Sequence, residues 1–326
     1  MKITVYNCRE DETDYFAQFG KKYNTELSLH TESPTMETAG LAAGSPCISV
    51  ITTPMTEPLL QTFKSLGVGF VSTRSIGYDH IDLAAAKKLG VRIGNVSYSP
   101  DSVADYTVML ILMATRKMKT ILGRSAVQDY SLKGVQGSEL HNLTVGVAGT
   151  GRIGRTVIRR LSGFGCRLLA YDLYENEEAK RYAEYVPLKR FLAESDLITL
   201  HMPSTRENHH FLNRDAFARM KDGVFLVNTA RGALVDTGDL IDAVESGKVG
   251  GAALDVVEHE TGLYYNDLKC QVIGNRELAV LRSFPNVLVT PHTAFYTDQA
   301  VSDMVENSIR SCVLFARGEE NPWEVK

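Results

Sequence analysis

Short apolar runs alternate with helix-like stretches along almost the whole chain, the pattern of a parallel α/β protein. Residues 3–6, 47–50, 69–72 and 91–93 read as strands of a first unit, rich in β-branched and aromatic side chains. The longest apolar stretch, 102–114, follows Ser99-Pro100-Asp101-Ser102, a helix-initiation cluster with proline near the first turn. It is apolar nearly all round, so it predicts a buried helix, either between domains or in a dimer interface. Further strands are expected at 144–147, 167–171, 197–200, 224–227, 251–254 and 287–290, a six-strand unit running from about 100 to 294. Segment 261–277 is rich in Gly, Asn and Asp and reads as irregular. A last helix, 300–315, leaves too little chain for another domain and is expected to return to the first unit. The predicted layout is a discontinuous domain, 1–98 plus 295–326, with a second domain, 99–294, inserted into it.

Length agrees, since single cores stop growing below about 300 residues and this chain has 326. A net charge of −4 gives no basic footprint for nucleic acid or an anionic membrane. No apolar run reaches the roughly eighteen residues a membrane span needs. The opening, MKITVYNCREDETDYF, has no signal-peptide core, so secretion is not expected. Cys8, Cys47, Cys166, Cys270 and Cys312 are scattered and lack metal-ligand spacing. They read as reduced thiols of a cytoplasmic protein, with no metal.

Chemistry enters at Gly149-Thr-Gly151-Arg-Ile-Gly154, which follows the apolar run 144–147 and opens a helix-like stretch. Gly149 permits a tight turn, Gly151 lets a pyrophosphate approach the backbone, and Gly154 lets helix and strand pack closely. Free N–H groups at the helix start attract the phosphates. The next strand ends on Asp172, placed to accept bonds from the adenosine-ribose hydroxyls. A carboxylate there repels a 2′-phosphate, and Leu173 and Tyr174 supply no arginine for one, which predicts NAD rather than NADP.

Strand ends of an open parallel sheet point to the ligand crevice. Arg231 follows one predicted strand, Glu258 and Glu260 another, and His292 the last, with Pro291 stiffening its approach. Together, Arg, Glu and His suit 2-oxo acid reduction: a guanidinium for the carboxylate, an imidazolium as proton donor, and a carboxylate to orient it. Singly, each also fits a surface charge or a structural histidine, and spacing does not decide between Glu258 and Glu260. His209, His210 and His259 read as loop residues, and His201, at a strand end, as a cofactor contact or a packed residue.

These motifs, with Val227-Asn-Thr-Ala-Arg-Gly232, Gly250-Gly-Ala-Ala-Leu-Asp255 and Val289-Thr-Pro-His292-Thr-Ala294, resemble the D-isomer-specific 2-hydroxyacid dehydrogenases. Ser72-Thr-Arg-Ser-Ile-Gly77 and Tyr98-Ser-Pro-Asp101 extend the resemblance through the first unit, so that it runs end to end. Pro291-His-Thr-Ala-Phe-Tyr-Thr297 and Tyr98-Ser-Pro are similar to the D-lactate dehydrogenase branch, and Ser72-Thr-Arg-Ser-Ile-Gly77 with Tyr98-Ser-Pro-Asp-Ser-Val-Ala-Asp-Tyr106 resembles the D-lactate dehydrogenases of vancomycin-resistance clusters. The resemblance implies two doubly wound parallel-sheet domains, a Rossmann cofactor domain inserted into a flavodoxin-like substrate domain. It implies Arg231, Glu260 and His292 as the catalytic residues. Ile76 and Gly77, through their N–H groups, with Tyr98 and Phe295, are implied around the substrate. Gly149, Gly151, Arg152, Ile153, Gly154, Asp172, His201, Thr229, Ala230 and Asp255 are implied along NAD. It further implies a homodimer built on the cofactor domain and NADH-dependent reduction of a small 2-oxo acid, pyruvate to D-lactate first. The alternatives are a bulkier 2-oxo acid such as phenylpyruvate or 4-methyl-2-oxopentanoate, and a non-catalytic NAD-responsive binding protein.

Overall fold

A computed structural model describes residues 1–325. The chain divides into two compact units: Met1–Ser99 with the chain from Tyr296 onward, and Pro100–Phe295. In the first, strands β1 (Lys2–Val5), β2 (Glu26–Leu29), β3 (Cys47–Val50), β4 (Phe70–Thr73) and β5 (Arg92–Gly94) lie in the order β2-β1-β3-β4-β5. Every pairing is parallel. Helices α1 (Thr13–Lys22), α2 (Glu57–Ser65) and α3 (Leu83–Leu89) accompany them. Strand β2 was not expected from the sequence: Glu-Leu-Ser-Leu is an edge strand, half-buried or exposed throughout, so it carries no apolar run to read.

The last helix, Asp298–Arg317, belongs to this unit, as its apolar face requires. Phe315 stacks on Phe70 with ring centroids 4.9 Å apart. The Ser308 hydroxyl lies 2.7 Å from that of Ser49 and 3.0 Å from that of Ser72, so small polar residues are paired where helix meets sheet. Gly94 is needed here because a Cβ would stand 2.5 Å from the Phe70 ring.

In the second unit, strands β6 (Thr144–Ala148), β7 (Arg167–Tyr171), β8 (Glu184–Tyr185), β9 (Leu197–Leu200), β10 (Val224–Asn228), β11 (Val249–Leu254) and β12 (Val287–Val289) form a second parallel sheet. Its order is β12-β11-β10-β9-β6-β7-β8. The six expected strands are there, and the added β8 is a two-residue edge too short to show a pattern. Strand order reverses between β6 and β9, the crevice where such sheets bind ligands. The helices are α4 (Asp101–Thr115), α5 (Met118–Ser125), α6 (Arg152–Ser162), α7 (Glu177–Lys180), α8 (Leu188–Glu194), α9 (Arg214–Arg219), α10 (Thr237–Glu245) and α11 (Arg276–Ser283). The apolar helix α4 buries Val103, Ala104, Leu110 and Ile111 against α6, β10 and β11. Its burial is one-sided, because Met109 stays 40% exposed.

Candidate active site

Strand β6 runs straight into the glycine turn. Gly149 has φ +89°, and a Cβ there would lie 2.7 Å from the His201 backbone. A Cβ at Gly154 would lie 1.9 Å from the Gly149 carbonyl oxygen, so helix and strand can close only with glycine. Gly151 differs: a Cβ there would meet nothing within 4 Å. It is the N-cap of α6, and no side chain caps the helix. Open space, free N–H groups and the positive helix end make a cradle that fits a pyrophosphate. Arg152, exposed, and Ile153, half-buried, open the first turn of α6.

Asp172 lies one residue past β7, at the lip of that turn. Its carboxylate accepts from the Thr150 N–H at 2.5 Å, the Thr150 hydroxyl at 3.0 Å and the Tyr174 N–H at 3.2 Å. Among the described residues no basic side chain pairs with it, which suits ribose hydroxyls and disfavours a phosphate. His201 follows β9, with its N–H on the Ala148 carbonyl at 2.7 Å and its Nε2 2.9 Å from the Thr199 hydroxyl. Burial pushes its imidazole down to about 3, so the ring is a neutral packing piece behind the turn.

Strands β10, β11 and β12 end in register, Asn228 beside Leu254 and Leu254 beside Val289, so the segments that follow leave from one sheet edge. These segments carry Arg231, Glu260 and His292. After β10, buried Asn228 folds the backbone back on itself: its amide accepts from Ala230 N–H at 3.0 Å and donates to the Arg231 carbonyl at 2.9 Å. The Thr229 hydroxyl is 2.8 Å from that of Thr107 on α4. The Arg231 guanidinium donates to the Ala230 carbonyl at 2.7 Å. Gly232 presses this turn on the segment leading to Glu260, since a Cβ there would stand 2.2 Å from the Val257 carbonyl.

Asp255, fully buried just past β11, organises the histidine loop. Its carboxylate accepts from the Thr290 hydroxyl at 2.6 Å, the Thr293 N–H at 3.0 Å and the Ala294 N–H at 2.9 Å. Its backbone carbonyl accepts from His292 N–H at 2.8 Å. The sequence expectation for Asp255 was a place beside the nicotinamide; its carboxylate is taken up by the loop that carries His292. Four bonds thereby hold His292 at φ +53°, which a ring-bearing residue seldom adopts. His292 Nδ1 is 2.6 Å from Glu260, whose other oxygen accepts from Val257 N–H at 3.1 Å. With Nδ1 donating to the carboxylate, Nε2 is the nitrogen left to exchange a proton. The Phe295 ring stands edge-on to the imidazole at 6.4 Å, and Tyr265 donates its hydroxyl to the His292 carbonyl at 2.8 Å.

In the first unit, the carbonyl of Ile76 accepts from Asn95 at 2.8 Å and that of Gly77 from Ser75 at 2.7 Å. The N–H groups of Ile76 and Gly77 donate to no protein atom among the described residues. Two adjacent backbone donors without a protein acceptor suit an anion. Buried Arg74 precedes them, and Tyr98 is half-buried near the end of the first-unit stretch. Asn228, Arg74 and Tyr265 escaped the sequence analysis as contributors. The first two lie inside quoted motifs, but nothing in a motif says where a side chain turns; Tyr265 lies in the segment read as irregular.

Residues 108–294 match the family described as D-isomer specific 2-hydroxyacid dehydrogenase, NAD binding domain. The chain is 45% identical over 318 residues to a D-specific alpha-keto acid dehydrogenase of Enterococcus faecalis, covering 97% of both. It is also 45% identical over 318 residues to an aromatic 2-oxoacid reductase of Clostridium sporogenes, covering 97% of this chain and 96% of that one. A crystal structure of a D-lactate dehydrogenase from Treponema pallidum superposes with a TM-score of 0.90 at 35% identity, covering 100% of both chains. With its two parallel sheets, glycine cradle and ribose acid, the chain belongs to the D-isomer specific 2-hydroxyacid dehydrogenase family, in its D-lactate dehydrogenase branch, and is an NAD-dependent D-2-hydroxyacid dehydrogenase.

Proposed function

We propose that the enzyme reduces pyruvate to D-lactate, with Arg231, Glu260 and His292 as its catalytic residues. The observation that carries the assignment is the 2.6 Å contact between His292 Nδ1 and Glu260. NADH, when bound, supplies the hydride. Gly149, Gly151, Arg152, Ile153 and Gly154 receive its pyrophosphate and Asp172 its ribose, with His201, Thr229, Ala230 and Asp255 as supporting positions. The Arg231 guanidinium binds the substrate carboxylate and polarises the neighbouring carbonyl. The Ile76 and Gly77 N–H groups are further donors to the carboxylate, and Tyr98 and Phe295 bound the side-chain pocket. His292 passes its Nε2 proton to the carbonyl oxygen as hydride reaches the carbon, while Glu260 stabilises the imidazolium before transfer.

NADH oxidation across pyruvate, 2-oxobutyrate, oxaloacetate, 4-methyl-2-oxopentanoate and phenylpyruvate, with chiral analysis of the product, tests this. Pyruvate is expected to give the highest kcat/KM and D-lactate the only product, with reductive kcat/KM falling at alkaline pH. His292→Ala is expected to lose roughly a thousandfold in kcat, the scale of general-acid catalysis; near-normal turnover would refute the assignment. A second reading keeps the residues and enlarges the substrate, and the aromatic 2-oxoacid reductase relative favours it. Preference for phenylpyruvate would establish it in place of pyruvate.

We further propose a cytoplasmic homodimer built on the cofactor unit. Leu122, Val127, Tyr130 and Leu132, on and after α5, are 55–86% exposed, more apolar surface than a monomer keeps without use. Leu132→Glu is expected to move the enzyme from dimer to monomer in light scattering. Among the described residues no helix is long and apolar enough to cross a membrane, and all five cysteines are free, which fits a reducing compartment.

A further inference from the structure

His210 lies in the loop after β9, outside every role assigned above. Its backbone is left-handed, φ +53°, and its N–H donates to the Ala233 carbonyl at 2.8 Å. Ring Nδ1 is 3.1 Å from an Asp236 carboxylate oxygen and Nε2 is 2.7 Å from Glu258. Nε2 is hydrogen-bonded to Glu258, while Nδ1 stands within ion-pair distance of Asp236, so the ring lies between two carboxylates. Each carboxylate is also tied elsewhere. Asp236 accepts from Asp239 N–H at 2.9 Å and so caps α10. The second Glu258 oxygen accepts from the Thr237 N–H at 2.9 Å and the Thr237 hydroxyl at 2.8 Å. Burial pushes the Glu258 carboxyl up, but the bonds from His210 and Thr237 outweigh it and hold the group below the usual carboxylate range.

The connections span two catalytic segments. Leu212 N–H donates to Leu234 and Asp236 N–H donates to Leu212, both at 2.9 Å, so the His210 loop is zipped to the turn that begins at Arg231. From that turn the ring reaches Glu258, which stands two residues before Glu260. We propose that His210 is a positioning residue for the reductase site: its ring, between Asp236 and Glu258, holds the Arg231 turn against the Glu260 loop. The proposal rests on the roles assigned to Arg231, Glu260 and His292. Besides the two carboxylates, the group facing the ring is His209, with centroids 3.9 Å apart. His209, His210 and Glu258 also bring metal-ligating atoms within 4.8 Å of one another. Both His210 nitrogens and both Glu258 oxygens already have protein partners, which favours the ion bridge over a metal.

His210→Asn tests it in the full-length enzyme with NADH. Asparagine tolerates the left-handed backbone, but its single amide nitrogen can donate to one carboxylate only while its oxygen faces the other. KM for the 2-oxo acid is expected to rise tenfold or more, roughly the effect of a sub-ångström misplacement of a binding group, with KM for NADH little changed. His210→Arg, which can donate to both sides, is expected to recover part of the loss. A lowered Tm with unchanged KM and kcat would leave His210 a merely structural residue and overturn the proposal. Zinc that stabilises the wild type but not His209→Ala would overturn it in favour of a metal site. His292→Ala measured alongside separates the two assignments: if it stays active the catalytic roles fail, while the KM change in His210→Asn and its recovery in His210→Arg still report on the link.

Discussion

In the first unit the loop after β4 is anchored by a buried cation, and in the second the loop after β12 is anchored by a buried anion. Arg74, fully buried, donates to the Glu12 carboxylate at 2.9 Å, the Ser49 hydroxyl at 3.1 Å and the Tyr6 and Asn7 carbonyls at 3.0 and 3.1 Å. Asp255, equally buried, instead accepts two N–H groups and one hydroxyl and has no ion-pair partner among the described residues. Donor side chains in the first unit take up carbonyls, leaving the N–H groups of Ile76 and Gly77 for an anion. An acceptor in the second takes up N–H groups of the loop that carries His292. The energetics differ too, because an ion pair becomes a liability when one partner is lost, whereas a solvated-by-dipoles carboxylate loses geometry first.

That contrast can be broken. Glu12→Gln leaves Arg74 buried beside a neutral amide and is expected to cost about 3–5 kcal/mol of stability, read by urea unfolding of the full chain. A cost below about 1 kcal/mol, the size of an ordinary hydrogen bond, would mean that the first anchor is carried by its neutral contacts. Asp255→Asn turns an amide NH2 towards N–H groups that need an acceptor. Its expected effect is a roughly hundredfold fall in kcat, about 2.7 kcal/mol, with NADH affinity nearly unchanged. Lost stability with normal kcat would show that the anion serves folding alone. His201 sharpens the comparison as an uncharged anchor. Its imidazole sits at about 3 when folded and about 6.5 when unfolded, so the unfolded chain takes up its proton first. Stability from this group is full above about pH 6.5 and drains away as pH falls towards 3. His201→Asn is therefore expected to flatten the decline of urea midpoints between pH 6.5 and 4.

What was legible in the sequence followed from how strongly each residue is dictated by backbone geometry. Gly149 and Gly154 were readable because no other residue fits beside His201 or the Gly149 carbonyl. Strand ends were readable because each closes an apolar run, which placed Arg231 and His292 at the sheet edge. The preference for Glu260 over Glu258 came from family resemblance, since residues 32 apart have no spacing rule. Glu258 read as either a candidate acid or a solvated charge and His210 as a loop residue; the structure joins them at 2.7 Å. Such polar bridges depend on three segments meeting, which periodicity does not encode. Strand β2 was missed for a simpler reason, that an edge strand needs no hydrophobic face.

The last helix closes on a sheet whose strands were made long before it. Ser308 and Phe315 complete contacts to Ser49, Ser72 and Phe70, so the first unit spans almost the whole order of synthesis. At ordinary ribosomal speeds the early strands wait roughly 10–45 seconds for that helix, while the inserted unit has all of its own chain in hand. The nascent β3 and β4 therefore lack the cover of Ser308 and Phe315 for that interval.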